Sequence, residues 1–297
     1  MRYEEPEFLP WDGRRVPLTF VSGYLGAGKT TLINNVLAVT DRPIAVLVND
    51  VGEINVDAKL IKRHSGDTIE LNDGCVCCSL VDGFGAAFDQ IRAREVPPDH
   101  LVVELSGVAD PARVLPWGRT AGFKLDGVLS LVAADQILDL VERPDIGEMV
   151  RAQVTAADMV AITKLDVDGA ASEDAIRSRL ADIGGDVPVI DAADGSLVTT
   201  LLRIGGRRPG GVADVPESTL FDRHEVGRIA LDQPITVAQV EAIVDALDDS
   251  VMRAKAVFVD PDGVAWTVQV VGRRRTVTQL PDVEREATTD LVTISVR

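Results

Sequence analysis

Apolar residues recur along the chain in short continuous runs that alternate with segments of helical spacing. Six runs rich in β-branched residues lie between residues 16 and 191: VPLTFVS, IAVLVND, HLVVELS, GVLSLVAA, DMVAITK and VPVID. Segments such as TTLINNVLA, AFDQIRARE and SEDAIRSRLADI separate them. Continuous apolar strands joined by amphipathic helices are typical of a parallel sheet that is covered on both faces. The pattern predicts a doubly wound, mostly parallel α/β sheet over residues 16–204.

The pattern changes after a stretch rich in glycine and proline, at about residues 204–219. Beyond it, HEVGRIAL is typical of a strand and TVAQVEAIVDAL of an amphipathic helix. RAKAVFVD, VAWTVQVV, RRRTVTQL and LVTISV are further strand patterns. The turn sequence Asp260-Pro261-Asp262-Gly263 predicts a hairpin between two of them. A smaller α+β domain is therefore predicted over residues 219–297.

Charge and hydropathy exclude several classes of partner. The chain has 47 acidic and 30 basic residues and a net charge of −17, which argues against nucleic acid because phosphate binding needs clustered Lys and Arg. The opening segment MRYEEPEFLPWDGRR is acidic and has no apolar core, so we expect no signal peptide. No apolar run reaches the roughly 20 residues that span a bilayer. We expect a cytoplasmic protein that does not bind a membrane.

The segment GYLGAGKT, residues 23–30, matches the phosphate-binding pattern G-x-x-x-x-G-K-[ST]. A predicted strand precedes it and a predicted helix follows, which is the context that the motif requires. Its glycines let successive backbone N–H groups face phosphates, and Lys29 would meet the β and γ phosphates while Thr30 binds Mg²⁺. The predicted nucleotide-binding residues of this loop are Gly23, Gly26, Ala27, Gly28, Lys29, Thr30 and Thr31.

A second motif follows the predicted strand DMVAI. Thr163, Lys164, Leu165 and Asp166 resemble the guanine-reading signature [NT]-K-x-D. Asp166 can accept hydrogen bonds from N1 and N2 of guanine, which adenine does not offer in that arrangement, and Lys164 can lie along the base plane. The carboxyl end of a strand is where nucleotide sites form. The motif therefore predicts binding of GTP and GDP. The alternative is a solvated loop without this function.

Glu104 is the third candidate in the nucleotide site. It ends the run HLVVE, where a carboxylate would help to hold Mg²⁺, and Ser106-Gly107 would let a mobile switch approach the γ phosphate. A charge that meets solvent at the end of a strand is the alternative. Together with Lys29 and Thr30, Glu104 completes the predicted catalytic set.

All three cysteines of the chain lie in the segment GCVCCSL, residues 74–80. Three thiols within four positions cannot make a self-contained disulfide framework, and in a reducing cytosol clustered cysteines are more often metal ligands. Cys75 and Cys77 share a side of an extended segment, and a turn would bring in Cys78. Thiolates favour Zn²⁺ or a similar ion, which needs a further ligand from elsewhere. Three small buried side chains are the alternative.

Taken together, these motifs resemble those of the CobW-type GTPases. That group is the metal-related branch of P-loop proteins, which also includes the urease and hydrogenase nickel-insertion GTPases. The matching segments come in the family order and are GYLGAGKTT (23–31), NDVGEINVD (49–57), NDGCVCCSL (72–80), ELSGVADP (104–111), TKLD (163–166) and VMRAKAVFV (251–259).

The resemblance implies a Mg²⁺-dependent GTPase that binds Zn²⁺, or Co²⁺, and couples its nucleotide state to delivery of the metal to an unidentified client metalloprotein. By position, Cys75, Cys77 and Cys78 are the metal motif, Glu53 is a further candidate ligand and Asp50 a candidate near Mg²⁺. GTP orders switch segments in such proteins and hydrolysis releases them. Slow intrinsic turnover is expected, with acceleration by metal, by client or by formation of a homodimer left open.

Three other functions share some of these motifs. A cobalt or cobalamin pathway GTPase that partners a chelatase would carry all of them. A regulatory module that senses zinc would use the thiols and make hydrolysis incidental. A kinase that uses ATP would share the phosphate loop and be indifferent to Asp166. Elsewhere, His64 is a weaker candidate ligand, and the run Arg273-Arg274-Arg275 indicates an exposed strand edge in preference to a partner contact.

Overall fold

A computed structural model describes residues 10–40, 42–48, 68–70, 80–195, 197–202, 204, 224–248, 250–271, 274–280 and 290–296. Within these residues the chain forms a seven-stranded sheet and a five-stranded sheet. All the strand pairs of the first sheet are parallel. Its strands are β1 (Val16–Ser22), β2 (Ile44–Val48), β3 (Thr68–Glu70), β4 (His100–Glu104), β5 (Phe123–Ala133), β6 (Met159–Thr163) and β7 (Val189–Asp191).

Helices cover both faces of the first sheet, so the predicted doubly wound fold is confirmed. One face packs against α1 and α7, and the other against α2 and against α4 to α6. None of the helices in the described ranges is both long and apolar enough to cross a membrane. The helices are α1 (Lys29–Val39), α2 (Leu80–Arg92), α3 (Pro111–Val114), α4 (Ile137–Glu142), α5 (Gly147–Thr155), α6 (Glu173–Gly184) and α7 (Leu197–Leu201), with 3₁₀ segments at Pro10–Gly13 and Leu115–Arg119.

The strand order β3-β2-β4-β1-β5-β6-β7 places β1 at the centre of the sheet. The register pairs Val21 of β1 with Glu104 of β4, and Ser22 with Ser130 of β5. The chain leaves β1 toward β2 on one side, whereas β5 lies on the other side. Crevices at the carboxyl ends of parallel strands form where the strand order diverges in this way. The loop after β1 therefore begins in such a crevice, beside Glu104.

The second sheet is antiparallel, with the order β11-β10-β9-β12-β8. A helix, α8, packs against one of its faces through Val240 and Val244 and begins with a capping box between Thr236 and Gln239. The sheet and this helix confirm the predicted α+β class. The elements are β8 (His224–Ala230), α8 (Val237–Asp245), β9 (Val251–Val259), β10 (Ala265–Val271), β11 (Arg274–Gln279) and β12 (Asp290–Val296).

The predicted hairpin joins β9 to β10. The backbone N–H of Asp260 donates to Val264 O at 2.9 Å, and the N–H of Gly263 donates to Asp260 O at 3.0 Å. The Asp260 carboxylate also accepts from the indole N–H of Trp266, at 2.8 Å. Polar groups of the turn are thus satisfied locally, which explains why a short Asp-Pro-Asp-Gly sequence is sufficient to reverse the chain.

The structure differs from the sequence pattern in two elements of the first sheet. Strand β5 begins at Phe123, four residues before the apolar run, because its first residues pair with β1 although they include the exposed Lys124. Strand β3 has only three residues, too few for a periodicity to be recognised. The predicted boundary at residues 204–219 lies, apart from Ile204, outside the described residues.

His100, the first residue of β4, is completely buried. Its Nε2 lies 2.9 Å from Thr19 Oγ1, and that hydroxyl donates its only proton to Leu201 O at 3.1 Å. The proton between His100 and Thr19 must therefore belong to Nε2. Nδ1 has no hydrogen-bond partner among the described residues. Burial, with a smaller contribution from the positive charge of Arg42, lowers the pKa of His100 to about 4.

We expect acidification from pH 7 to pH 4.5 to lower the free energy of unfolding through His100 by roughly 2 to 3 kcal/mol. The unfolded chain takes up a proton near pH 6.5, whereas the native imidazole resists protonation down to about 4. Unfolding therefore binds a proton across this window, and stability falls as the pH falls. Urea unfolding of the wild type and of His100→Gln measures the effect, because glutamine can donate to Thr19 and does not titrate. Identical pH dependence in both chains would contradict it.

Candidate nucleotide-binding site

The loop between β1 and α1 has the backbone of a phosphate-binding loop. Gly23, Gly26 and Gly28 have φ angles of +130°, +75° and +95°, a region that glycine adopts readily and other residues rarely do. Gly28 is the N-cap of α1, and within the described part of the chain no side chain caps this helix. The first N–H groups of α1 are therefore available to an anion at the positive end of the helix dipole.

Lys29 lies at the base of this loop and is 5% exposed. Its Nζ donates to Gly23 O at 2.7 Å and to Tyr24 O at 3.3 Å. A buried ammonium is costly unless it is hydrogen-bonded, and these carbonyl groups satisfy that requirement. The ammonium is thus held within the curve of the loop, where the sequence predicts contact with the β and γ phosphates.

Thr30 and Glu104 meet at the mouth of the loop. The Thr30 hydroxyl donates to Glu104 Oε1 at 2.9 Å, although the two residues are 74 positions apart. Glu104 is 4% exposed, and the parallel register of β4 with β1 places it there. A hydroxyl and a carboxylate are the hard oxygen donors that Mg²⁺ prefers. The donor set therefore fits the predicted metal role of both residues.

Thr163 ties the guanine-reading motif to the phosphate loop. Its hydroxyl lies 2.9 Å from Ala27 O and 3.3 Å from Val132 O, and its single proton is shared between these carbonyl groups, with the shorter contact to Ala27. The sequence predicts Thr163 as a nucleotide-binding residue, and the structure directs its hydroxyl to the loop backbone. The two motifs, more than 130 residues apart in the chain, are thereby adjacent in space.

Lys164 and Asp166 lie in the turn that follows β6. Lys164 has a φ of +60°, and its carbonyl accepts from Val167 N at 3.3 Å. Its Nζ lies 3.9 Å from Asp135 Oδ1. Burial lowers the pKa of the Lys164 ammonium; the Asp135 carboxylate acts in the opposite direction and Arg274 adds to the lowering. The Asp166 side chain is exposed, so its carboxylate is accessible for the predicted contact with a base.

The segment after β4 lies directly against the phosphate loop. A Cβ on Gly107 would lie 2.8 Å from Leu25 N, so only glycine permits this approach. The Gln153 amide donates to Gly107 O and Ala109 O, both at 3.1 Å, and thereby fixes the segment to α5. Sequence reasoning indicated Gly107 as part of a switch but missed Gln153, because a single glutamine on a separate helix carries no local signal.

A cavity of about 280 Å³ lies between the phosphate loop and the second sheet. This volume is just below the roughly 300 to 1,000 Å³ that small-molecule sites occupy. The first sheet and its loops contribute Gly26, Gly28, Lys29, Thr30, Thr31, Asn34, Glu104 and Lys164; the second sheet contributes Arg253, Gln269, Val271, Arg274 and Thr276. The second sheet was not expected at this site from the sequence.

An ion pair joins the two sheets at this cavity. Arg274 Nη2 lies 2.9 Å from Oδ2 of Asp135, the residue that also faces Lys164. Strand β11 is the edge strand of its sheet, so the predicted strand edge is confirmed. The side chains of Arg274 and Arg275 project from opposite faces of the second sheet, since Arg275 pairs with Asp245 of α8. Arg274 thus crosses to the first sheet, whereas Arg275 remains within the second.

The predicted metal motif lies outside the described residues. This applies to Cys75, Cys77 and Cys78, to the additional candidates Glu53 and Asp50, and to His64 and Arg273. Their roles remain predictions from the sequence.

A glycine-rich loop between the central parallel strand and a helix, with a buried lysine and a threonine–carboxylate pair, defines a P-loop nucleotide-binding protein. Within that class, residues 17–191, more than half of the chain, match the family model described as CobW/HypB/UreG, nucleotide-binding domain. The chain belongs to this family, and the resemblance inferred from the motifs is confirmed.

Two curated relatives are similar to part of the chain. The zinc chaperone CobW of a Sinorhizobium species is 30% identical over 219 residues, and the zinc chaperone YjiA of Escherichia coli K12 is 33% identical over 197 residues. Each match covers 63% of this chain and about three fifths of the relative, 62% and 60% respectively. The crystal structure of Zn(II)-bound YjiA GTPase from E. coli has 22% identity, with 96% of this chain and 95% of that chain covered and a TM-score of 0.49.

Proposed function

We propose that the protein is a GTP-hydrolysing zinc chaperone. The observation that carries the proposal is the convergence of the phosphate loop, the Thr30–Glu104 pair and the guanine-reading turn at one cavity. Membership of the CobW/HypB/UreG family supports nucleotide binding, and the names of the two curated relatives support zinc as the metal in preference to cobalt.

In the proposed reaction, water attacks the γ phosphorus of GTP. The new O–P bond forms as the bond from the γ phosphorus to the bridging oxygen breaks, which gives GDP and phosphate. Lys29 and the amides at the start of α1 stabilise the charge that develops on the phosphate oxygens. Asp166 selects guanine through N1 and N2, and Thr163 holds its turn against the phosphate loop.

Thr30 and Glu104 would hold Mg²⁺, since their oxygens already lie within hydrogen-bonding distance of each other. When bound, Mg²⁺ neutralises charge on the phosphate oxygens. The same pair orients the start of α1 toward the end of β4. Asp50 is proposed as a further residue near this ion on the basis of the family resemblance alone.

The proposed cargo site is the segment around Cys75, Cys77 and Cys78, with Glu53 as an additional ligand. Thiolates suit Zn²⁺. In the chain, the motif follows β3 and precedes α2, and Glu53 follows β2. If segments ordered by GTP carry ligands, the zinc affinity must depend on the nucleotide. Delivery to a client metalloprotein is the proposed outcome of that dependence.

We expect the zinc affinity of the purified full chain to differ at least about tenfold between its GDP form and its complex with a non-hydrolysable GTP analogue, a coupling typical of linked sites. Competition with a chromogenic zinc chelator measures the affinity in both states. Cys77→Ala is expected to remove most of the zinc affinity, because thiolate is its strongest class of ligand. Ser79→Ala, which leaves every thiol in place, is the matched control.

Equal zinc affinity in the two nucleotide states would overturn the proposed coupling. A chain that never cleaves GTP, with zinc or without it, would overturn the hydrolytic part. Preference for Co²⁺ over Zn²⁺ under the same competition would favour the cobalt-pathway alternative, and zinc binding without any hydrolysis would favour the sensing module.

A further inference from the structure

Three side chains form a row across the second sheet on the face that meets the phosphate loop. Arg253 of β9 is paired with Val271 of β10, and Val271 with Arg274 of β11. All three line the cavity, as do Gln269 and Thr276 in the neighbouring row. Since paired strands lie about 4.8 Å apart, the two arginines project from backbone lines about 10 Å apart, with valine between them.

Val271 fixes the position of this row over the phosphate loop. A Cβ on Gly26 would lie 2.0 Å from Val271 Cγ1, so the valine side chain is in direct contact with the glycine backbone. The row is therefore centred on Gly26, and the arginines flank the loop on its two sides.

Different contacts anchor the two ends of the row. Arg274 pairs with Asp135, beside Lys164 of the guanine-reading turn, so its end of the row is the base end. At the other end of the row, two neighbours of Arg253 belong to a buried cluster with Tyr24, Leu25 and Val108. These neighbours are Met252, which precedes Arg253 in β9, and Ile294, which is the cross-strand partner of Arg253. Tyr24 and Leu25 belong to the phosphate loop, and Val108 belongs to the segment after β4. Arg253 lies at the end of the row away from Arg274 and lines the same cavity as Glu104, beside the predicted γ phosphate.

The charge of the cavity fits a polyphosphate. Although the whole chain has a net charge of −17, the cavity is lined by Lys29, Lys164, Arg253 and Arg274, with Glu104 as its only acidic lining residue among those described. Guanidinium groups bind phosphate oxygens through paired, charge-assisted hydrogen bonds. Four cations around one pocket in an acidic protein point to an anionic ligand with several charges.

We propose that Arg253 of the second sheet binds the terminal phosphate of the nucleoside triphosphate. The inference rests on the proposed function and adds a second wall to the site, which the family's nucleotide-binding region does not contain: the matched family region ends at residue 191. The second sheet then has different affinities for the triphosphate and diphosphate states. Arg274 holds the sheet at the base end in both states.

The test compares binding of GDP and of a non-hydrolysable GTP analogue, with Mg²⁺, to the full-length wild type and to Arg253→Gln. We expect the variant to bind the triphosphate analogue about tenfold more weakly, which corresponds to the loss of one charged hydrogen-bonding group. Its affinity for GDP should change by less than about twofold. Arg253→Lys should recover part of the triphosphate affinity, because it restores the charge without the planar fork.

Arg228→Gln on β8 is the matched control, since it removes an arginine from the opposite edge of the same sheet, where it pairs with Asp290 at 3.9 Å. Thermal unfolding of each variant checks the fold. Equal weakening of GDP and triphosphate binding, or none, would overturn the role of Arg253 while leaving the proposed function intact. Failure of the wild type to bind either guanine nucleotide would instead overturn the proposed function.

Discussion

Replacing Gly23 by alanine is expected to weaken guanine nucleotide binding at least about 100-fold and to destabilise the first sheet. The new Cβ would lie 2.3 Å from Leu131 O and 3.0 Å from Leu131 N, which are backbone atoms of the buried strand β5. Neither β1 nor β5 can move away, since each is paired on both sides. The φ of +130° adds backbone strain to the clash. The phosphate loop must shift, and with it the amides and the Lys29 ammonium.

Gly263→Ala is the control that separates the effect of backbone strain from the effect of the steric clash. Gly263 also has a positive φ, +78°, but nothing lies within 4 Å of a Cβ built there, at the hairpin between β9 and β10. The control should therefore lose only about 1 to 2 kcal/mol from strain and bind nucleotide normally. Urea unfolding and fluorescence titration with a labelled GDP measure both quantities. Nucleotide binding by Gly23→Ala within a few-fold of the control would show that the loop does not require glycine at this position.

Replacing Asp166 by alanine is expected to weaken GDP and GTP binding about 100-fold or more, because two hydrogen bonds from guanine to a carboxylate are lost at once. The Asp166 side chain is exposed, and the Thr163 hydroxyl at the start of the same turn donates a hydrogen bond to Ala27 O. The loss should therefore come from base recognition, with the fold intact. Titration with labelled GDP, and with ADP as competitor, measures affinity and selectivity together.

Asp168→Ala is the control for this experiment, since Asp168 is an exposed carboxylate in the same turn and is outside the guanine-reading motif. Asp166→Asn tests the chemistry in the opposite direction. Its amide can donate to the C2 oxygen of xanthine, so xanthosine diphosphate should bind this variant better than GDP does. If Asp166→Ala binds GDP as tightly as Asp168→Ala does, or if ADP competes with labelled GDP for the wild type as well as unlabelled GDP does, the ATP-dependent kinase is favoured and the predicted guanine recognition is wrong.

The architecture was predictable because most of its elements have strong local signals. A buried parallel strand is a continuous apolar run, and β1, β2, β4 and β6 lie where those runs predicted them. The start of β5 was not predictable, since the exposed Lys124 and the half-buried Asp126 interrupt the apolar run. Short elements such as β3 and α4 carry too few residues for their periodicity to stand out. The order of strands in the first sheet is likewise a property of packing that no single run encodes.

The candidate site divides in the same way. The phosphate loop and the guanine-reading turn are short sequences of fixed spacing, so their residues could be named from the chain alone. Asp135 and Gln153 could not, because each acts across a distance of many residues and belongs to no local motif. Arg253 lies in the matching segment VMRAKAVFV, but nothing in that segment indicates that it lines the cavity beside the phosphate loop. Arg274 was recognised only as part of a basic run, and its partner Asp135 became evident only when the two sheets were seen together. Contacts between separate sheets leave no periodic signal in a single sequence.

Asp135 serves two cations that belong to different parts of the molecule, Lys164 in the base-reading turn and Arg274 on the outermost strand of the second sheet. One carboxylate thus links the turn after β6 to the edge strand of the second sheet. Under the proposed function, a protein that docks along that edge and draws Arg274 away would alter how long guanine remains bound without touching the nucleotide itself. Nucleotide exchange, as well as hydrolysis, would then be open to control by the proposed client.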